Sequence, residues 1–267
     1  MTTTMTQPEQ SDRPEHSAVW TRWRGITSTT FSRGLGITAI VGIGWLVLFG
    51  LVLSPSDRVQ GTSVRIMYIH VPTAWVAYLA FVITALSSGM YLLRRNHSLA
   101  WDRVAGASAE VGVLFMGLTL ITGSLWGRLT WGVFWAWDAR LTTTAFLFVT
   151  YIGYLAVRRL GGSHQARARR SAILGLLGVL EIPLVHFSVE LWRSLHQEAT
   201  LANINGDVKI SGLMLFSLMI GLVSFTLLYA WLVMHRQRSL YLEDRYEDVD
   251  LDVALAARRA ESGVAHG

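Results

Sequence analysis

Six uninterrupted apolar runs, at residues 35–53, 67–93, 104–125, 141–157, 171–191 and 210–234, are separated by polar or charged stretches. Each is near the roughly 20 residues that a helix needs to cross about 30 Å of hydrocarbon. The pattern predicts an all-α, polytopic integral membrane protein with six transmembrane helices. Three units follow from it: a disordered N-terminal tail over 1–30, a six-helix domain over 31–238, and an acidic, then Ala/Arg-rich soluble tail over 239–267. The first run follows more than thirty residues and lacks a small-x-small cleavage site, so it reads as a retained anchor. Pro72 is expected in the first turn of the second helix, where a missing N–H costs nothing.

Charge orients these helices. Only 15% of the 267 residues are charged and 52% are hydrophobic, against roughly 25% charged in soluble domains. The net charge of +5 comes from 22 Arg and the single Lys209, scattered at the ends of apolar runs. No basic patch forms, so nucleic acid is excluded as a partner. Thirteen of the basic residues flank the runs on the side of the termini and six on the other side. Both termini are therefore expected in the cytoplasm. The outward segments are then 54–66, 125–140 and 192–209.

The outward face collects the candidate chemistry. Trp126, Trp131, Trp135 and Trp137 are four of eleven tryptophans and lie within twelve positions. Tryptophan at a membrane interface is usually a belt residue, but this cluster, interleaved with Arg128, Asp138 and Arg140, equally suits a platform for a flat ligand. Trp131, Trp135 and Asp138 stand at i, i+4, i+7, which would align them on a short interfacial helix. His70 sits at the outer mouth of the second run. His186 lies fifteen residues beyond Ser171, or roughly 22 Å along a helix, at a similar depth. Neutral imidazole ligates metals and haem iron, although a lone histidine at a helix end is more often a hydrogen-bonding group. His196 is a third candidate on the same side. Asp138 suits a helix cap, and the arginines suit anionic groups of a ligand. Glu110 and Glu181 fall inside runs, where they must be protonated or bonded to neighbouring helices.

Other chemistries are excluded. The chain has no cysteine, hence no disulfide, no Cys-ligated metal and no C-x-x-C-H haem attachment. It also lacks G-x-x-x-x-G-K-[ST], G-x-S-x-G and H-E-x-x-H. No enzyme activity is expected.

The string Trp131-Gly132-Val133-Phe134-Trp135-Ala136-Trp137-Asp138-Ala139-Arg140-Leu141-Thr142 resembles the tryptophan-rich WWD signature of membrane haem-handling proteins. The stretches Tyr68–Pro72 and Pro183–Glu190, with Leu195-His196-Gln197 after them, resemble the cytochrome c maturation protein C (CcmC) family. Phe134 departs from the pattern, since many relatives have another Trp there. The resemblance implies haem b held non-covalently against the tryptophan loop. It also implies His70 and His186 as axial ligands, with His196 a neighbour. Trp126, Trp131, Trp135, Trp137, Asp138, Arg128 and Arg140 complete the expected site, with the arginines toward the propionates. The implied partners are a CcmE-like haem chaperone, CcmA/CcmB-like subunits of an ATP-binding cassette transporter, a small single-span CcmD-like subunit and the lipid bilayer. The implied location is the bacterial inner membrane, with haem on the periplasmic side. Two further readings are a permease subunit of a haem or other solute exporter and a cytochrome c synthase core subunit.

Overall fold

The computed structural model describes residues 29–93, 97–197 and 210–264. Nearly all of the expected tail 1–30 lies outside these. The chain forms α1 (Thr30–Leu46), which runs on as a π-helical stretch (Val47–Leu53), then a 3-10 turn (Thr62–Ile66) leading into α2 (Met67–Leu93). There follow α3 (Leu99–Trp131), α4 (Ala139–Arg158), α5 (His164–Gly178), α6 (Glu181–His186), α7 (Ser188–Leu191) and α8 (Gly212–Val264). Side chains mark the starts: Thr29, Ser98, Asp138 and Ser163 each accept a hydrogen bond from a backbone N–H in the first turn of α1, α3, α4 and α5. Each such cap satisfies a donor that the helix itself cannot.

Among the described residues five helical segments are long and apolar enough to cross a membrane: 30–53, 62–93, 99–131, 139–158 and 212–259. The chain is a multi-pass membrane protein. The fifth expected span, 171–191, is not one helix. It starts earlier, at His164, and breaks after Gly178 into the short α6 and α7. Pro183 accounts for part of the break, because it has no N–H to offer the carbonyl four residues back. Three other boundaries differ from expectation. α3 continues through Trp131, so the irregular stretch of the expected 125–140 loop is 132–138. No break occurs at 239, where α8 continues as one helix. Pro72 lies inside α2 and not in its first turn, being the sixth residue of a helix that begins at Met67. A Cβ on Gly221 of α8 would come within 2.9 Å of Pro72 Cγ and 3.1 Å of the Tyr68 carbonyl oxygen. Glycine there lets α8 cross against the carbonyl that proline leaves without its helical donor.

The core lies between α2, α3, α4 and α8. Phe81 and Tyr151 stack with centroids 3.6 Å apart, beside Val76, Ala80, Ala109, Met116 and Leu147. Small residues permit close approach, and Ser108 of α3 donates to the Ala80 carbonyl at 2.6 Å. Facing outward are Ile37, Ile40, Trp45, Leu114, Ile121, Phe146 and Val149, all exposed. Such surface on helices of this length faces lipid.

The two ends of the bundle differ in chemistry. One is charged: Arg158 grips Asp102 with two bonds of 2.6 and 2.9 Å, Arg103 meets Asp244 at 3.0 Å, and Arg167 meets Glu247 at 2.6 Å. His164 joins this cluster through Asp248 at 3.2 Å. Arg236 of α8 holds Glu110 of α3 through Nε and Nη2, and Glu181 accepts from Thr150 of α4 at 2.8 Å. Both intramembrane acids are thus bonded to neighbouring helices. The opposite end holds the tryptophans and three histidines.

Candidate functional site

At that aromatic end the backbone first stops a helix. α3 ends at Gly132, whose φ of 79° lies in the left-handed region that glycine enters without strain. The expected interfacial helix over Trp131–Asp138 therefore does not form. Instead the chain runs irregularly to Asp138, which caps α4 by accepting from Arg140 N at 3.1 Å. The same buried carboxylate accepts from Ser194 Oγ and from Leu195 N, both at 2.9 Å. Asp138 thus joins the tryptophan stretch to the segment that carries His196.

A cavity of about 670 Å³ lies beneath this joint, between α2, α3, α4 and α8. His70, His186, His196, Trp126, Trp131, Trp135 and Arg140 all line it. Of the expected site residues, three do not. Trp137 is 84% exposed and packs edge-on against Trp135 at 5.7 Å, facing a shallower depression beside Arg193. Asp138 is buried behind the wall. Arg128 donates to the Gly132 carbonyl and lies 5.6 Å from the Phe134 ring centre. Phe134 thus provides the cation–π face for this arginine, and both belong to the turn's support.

Hydrogen bonds fix the imidazoles. His70 Nδ1 lies 3.1 Å from Thr122 Oγ1, whose own proton goes to the Leu118 carbonyl at 2.8 Å. Thr122 therefore accepts, Nδ1 carries the proton, and Nε2 of His70 keeps its lone pair. Gly123 leaves room for this ring, since a Cβ there would come within 2.9 Å of His70 Cε1. Trp126 meets the ring edge-on at 5.6 Å. His196 has the same tautomer by a simpler route: its Nδ1 lies 2.7 Å from the Gln197 carbonyl, which can only accept. Burial, then the nearby Arg140 guanidinium, hold the His196 imidazole below its ordinary pKa, so it is neutral at pH 7. Its ring stands edge-on to Trp131 at 6.2 Å. His186, at the end of α6, packs edge-on against Phe187 at 4.9 Å, and its carbonyl accepts from Arg140 Nη2 at 2.8 Å. Arg140 also donates to Ser188 Oγ at 3.1 Å.

Several lining residues carried no sequence signal. Gln60 accepts from Trp126 Nε1 at 3.0 Å and donates to Gln197 at 2.9 Å, tying the first outer segment to the His196 segment. Trp75, Tyr78, Met116 and Met219 extend the walls downward. No pattern in the sequence distinguishes these from ordinary core positions. Among the described residues no three His, Asp or Glu side chains converge to hold a bare metal ion. Two neutral imidazoles over broad aromatic walls suit a metal already set in a flat organic ring.

Comparison with known proteins gives the family. The family described as heme exporter protein C, CcmC, matches residues 18–251. A heme exporter protein C of Bradyrhizobium diazoefficiens is 37% identical over 241 residues, covering 86% of this chain and 89% of its own. That of Escherichia coli is 35% identical over 205 residues, covering 76% and 80%. A putative cytochrome c biosynthesis ccmC-like mitochondrial protein of Arabidopsis thaliana is 35% identical over 196 residues, covering 73% of each. With an aromatic cavity at one end of a multi-pass bundle and a match across most of its length, the chain belongs to the CcmC family.

Proposed function

We propose that this chain holds haem b, without a covalent bond, in the cavity at its aromatic end and presents it to an acceptor during c-type cytochrome biogenesis. The observation that carries the reading is the convergence of His70 and His196 on one cavity walled by Trp126, Trp131 and Trp135. Haem here is cargo. Bound haem supplies an iron that takes two axial nitrogens; the chain supplies neutral Nε2 atoms, aromatic walls and a guanidinium at Arg140. A low-dielectric pocket on a rigid bundle holds the macrocycle in place, and the lack of cysteine leaves its vinyl groups unreacted for the acceptor.

The tautomers of His70 and His196, each with Nδ1 hydrogen-bonded and Nε2 left for a ligand, favour these two as the axial pair. The pair His70 and His186 is the second reading, because His186 lines the same cavity and falls in the stretch that resembles the family. Trp135 and Trp131 serve as stacking faces, Asp138 holds the loop, and Trp137 stands outside the cavity as a contact for the acceptor. Arg128 acts through the turn and not on the propionates.

The wider arrangement belongs to the same proposal. It comprises six crossings with α5–α7 as the broken one, termini in the cytoplasm, and the site on the periplasmic side of the inner membrane. The acceptor is a CcmE-like chaperone, and the neighbours are CcmA/CcmB-like transporter subunits and a CcmD-like single-span subunit. A permease path is less well supported. Glu110 and Glu181, its natural lining, are bonded to neighbouring helices away from the cavity.

The test is the visible spectrum of the purified full chain loaded with haem. His70→Ala and His196→Ala are each expected to lower haem retention by roughly tenfold or more, whereas His186→Ala keeps a near-normal Soret band. Loss with His186→Ala and none with His196→Ala would replace the pair by the second reading. An unchanged band in all three variants would remove axial ligation by this chain.

A further inference from the structure

The cavity is deeper than two axial histidines require. On α2 its lining runs from His70 through Val71, Ala74 and Trp75 to Tyr78. Eight residues of helix rise about 12 Å, so the floor lies well inside the hydrocarbon region. Along α8 the facing wall is Met219, Val223, Thr226 and neighbours, at helical spacing on one face. Trp75, Met219 and Val223 line the cavity yet are 47%, 45% and 55% exposed.

A single polar bond between described side chains crosses the seam between these two helices. Trp75 Nε1 donates to Thr226 Oγ1 at 3.0 Å, and Thr226 passes its own proton to the Leu222 carbonyl at 2.7 Å. Above it, α2 and α8 are in fixed contact where Gly221 meets Pro72. Below it, Tyr229 of α8 is hydrogen-bonded to Ser108 of α3, whose hydroxyl also reaches the Ala80 carbonyl of α2. Between these two fastened points the Trp75 indole, bonded to Thr226, stands in the cavity lining between α2 and α8. Indole suits such a position, being apolar enough for lipid and carrying one N–H to satisfy when closed.

We propose that Trp75 and Thr226 form a latched side opening through which a flat, largely apolar metallo-macrocycle passes directly from the bilayer core into the cavity. This rests on the haem-site reading above. The chemistry favours it because such a ring partitions into hydrocarbon. A lateral route delivers it edge-first to the level of His70 without a passage through water. No covalent step is involved; opening breaks the one Trp75–Thr226 hydrogen bond.

The test uses the full chain in proteoliposomes with haem dissolved in the bilayer and excess apomyoglobin outside to remove aqueous haem. Because the chain has no cysteine, the double variant Trp75→Cys/Thr226→Cys carries the only two thiols. A short bis-methanethiosulfonate then bridges the two thiols. Soret appearance is expected to slow roughly tenfold or more when bridged and to recover on reduction. Haem offered in water to the bridged protein in detergent loads at the unbridged rate. The milder Thr226→Val, which keeps shape but loses the acceptor, is expected to speed bilayer loading by up to roughly fivefold, the equivalent of one net hydrogen bond. Bilayer loading that is indifferent to the bridge overturns the side opening and leaves the haem site standing. A bridge that slows both routes equally overturns it too, by showing a damaged site. No Soret band by either route in the unmodified chain overturns the haem-site reading and the opening with it.

Discussion

At Asp138 one carboxylate serves two purposes that a sequence motif cannot separate. It caps α4, and it fastens the backbone at Leu195, next to His196. Asp138→Ala removes a cap and two bonds to a buried charge, a loss of about 2–4 kcal/mol. The expected result is a lower melting temperature together with weaker haem retention, since the His196 segment loses its anchor. Asp138→Asn keeps the cap and one acceptor and is expected to fall between; equal retention in all three proteins would show that the joint does not matter. His196 gives a second prediction at this scale. Its pKa in the folded chain lies below the ordinary value near 6.5. As pH falls through about 6.5 the unfolded chain takes up the proton first, so stability declines there, while the folded imidazole stays neutral and able to ligate. Haem release on acidification, followed at the Soret band, is therefore expected with a midpoint under about pH 6.5. A midpoint at or above that value in the wild type, absent from His196→Ala, would contradict the assigned environment.

At the scale of elements, the apolar runs disclosed where helices lie, because hydrocarbon leaves the backbone no alternative. They did not disclose where helices stop. α3 overruns its apolar run to reach Trp131, since Gly127 weakens a helix without stopping it and the left-handed turn comes only at Gly132. The i, i+4, i+7 spacing of Trp131, Trp135 and Asp138 suggested a helical face, and a single left-handed glycine cancels it. The break in the fifth expected span has the same origin: hydropathy is blind to Pro183. Site residues were legible in proportion to their chemistry. His70, Trp131, Trp135 and Arg140 stand out as residue types and do meet at one cavity. The placing of His196 against Trp131 depends on a fold-back over 57 positions, from Asp138 to Leu195, which local pattern does not contain. Gln60, Thr122 and Trp75 were invisible for the same reason.

Across the whole molecule, polarity is divided between the two ends. Among the described residues the ion pairs gather at one end, where α8 lies against Arg103, His164 and Arg167, and the other end is aromatic. The sequence showed an acidic tail and a basic segment, but their pairing is a tertiary fact. The family match ends at residue 251, just after these acids. Ending the chain after Leu251 is expected to leave both the haem spectrum and the melting temperature nearly unchanged. Ending it after Arg238 removes partners worth about 0–1 kcal/mol each and is expected to lower the melting temperature while the Soret band persists. A lost band in the longer truncation would tie the two ends together.

Gly132 has one more consequence. A helix indexes direction as well as length, turning about 100° with each residue. Where α3 halts therefore sets the compass bearing on which the next residues depart, and with it which indole looks inward at Trp135 and which outward at Trp137. A side chain at Gly132 that let the helix run one residue further would rotate that bearing by about a quarter turn or slightly more. The stop acts as a dial, and its setting decides which tryptophans face the cavity.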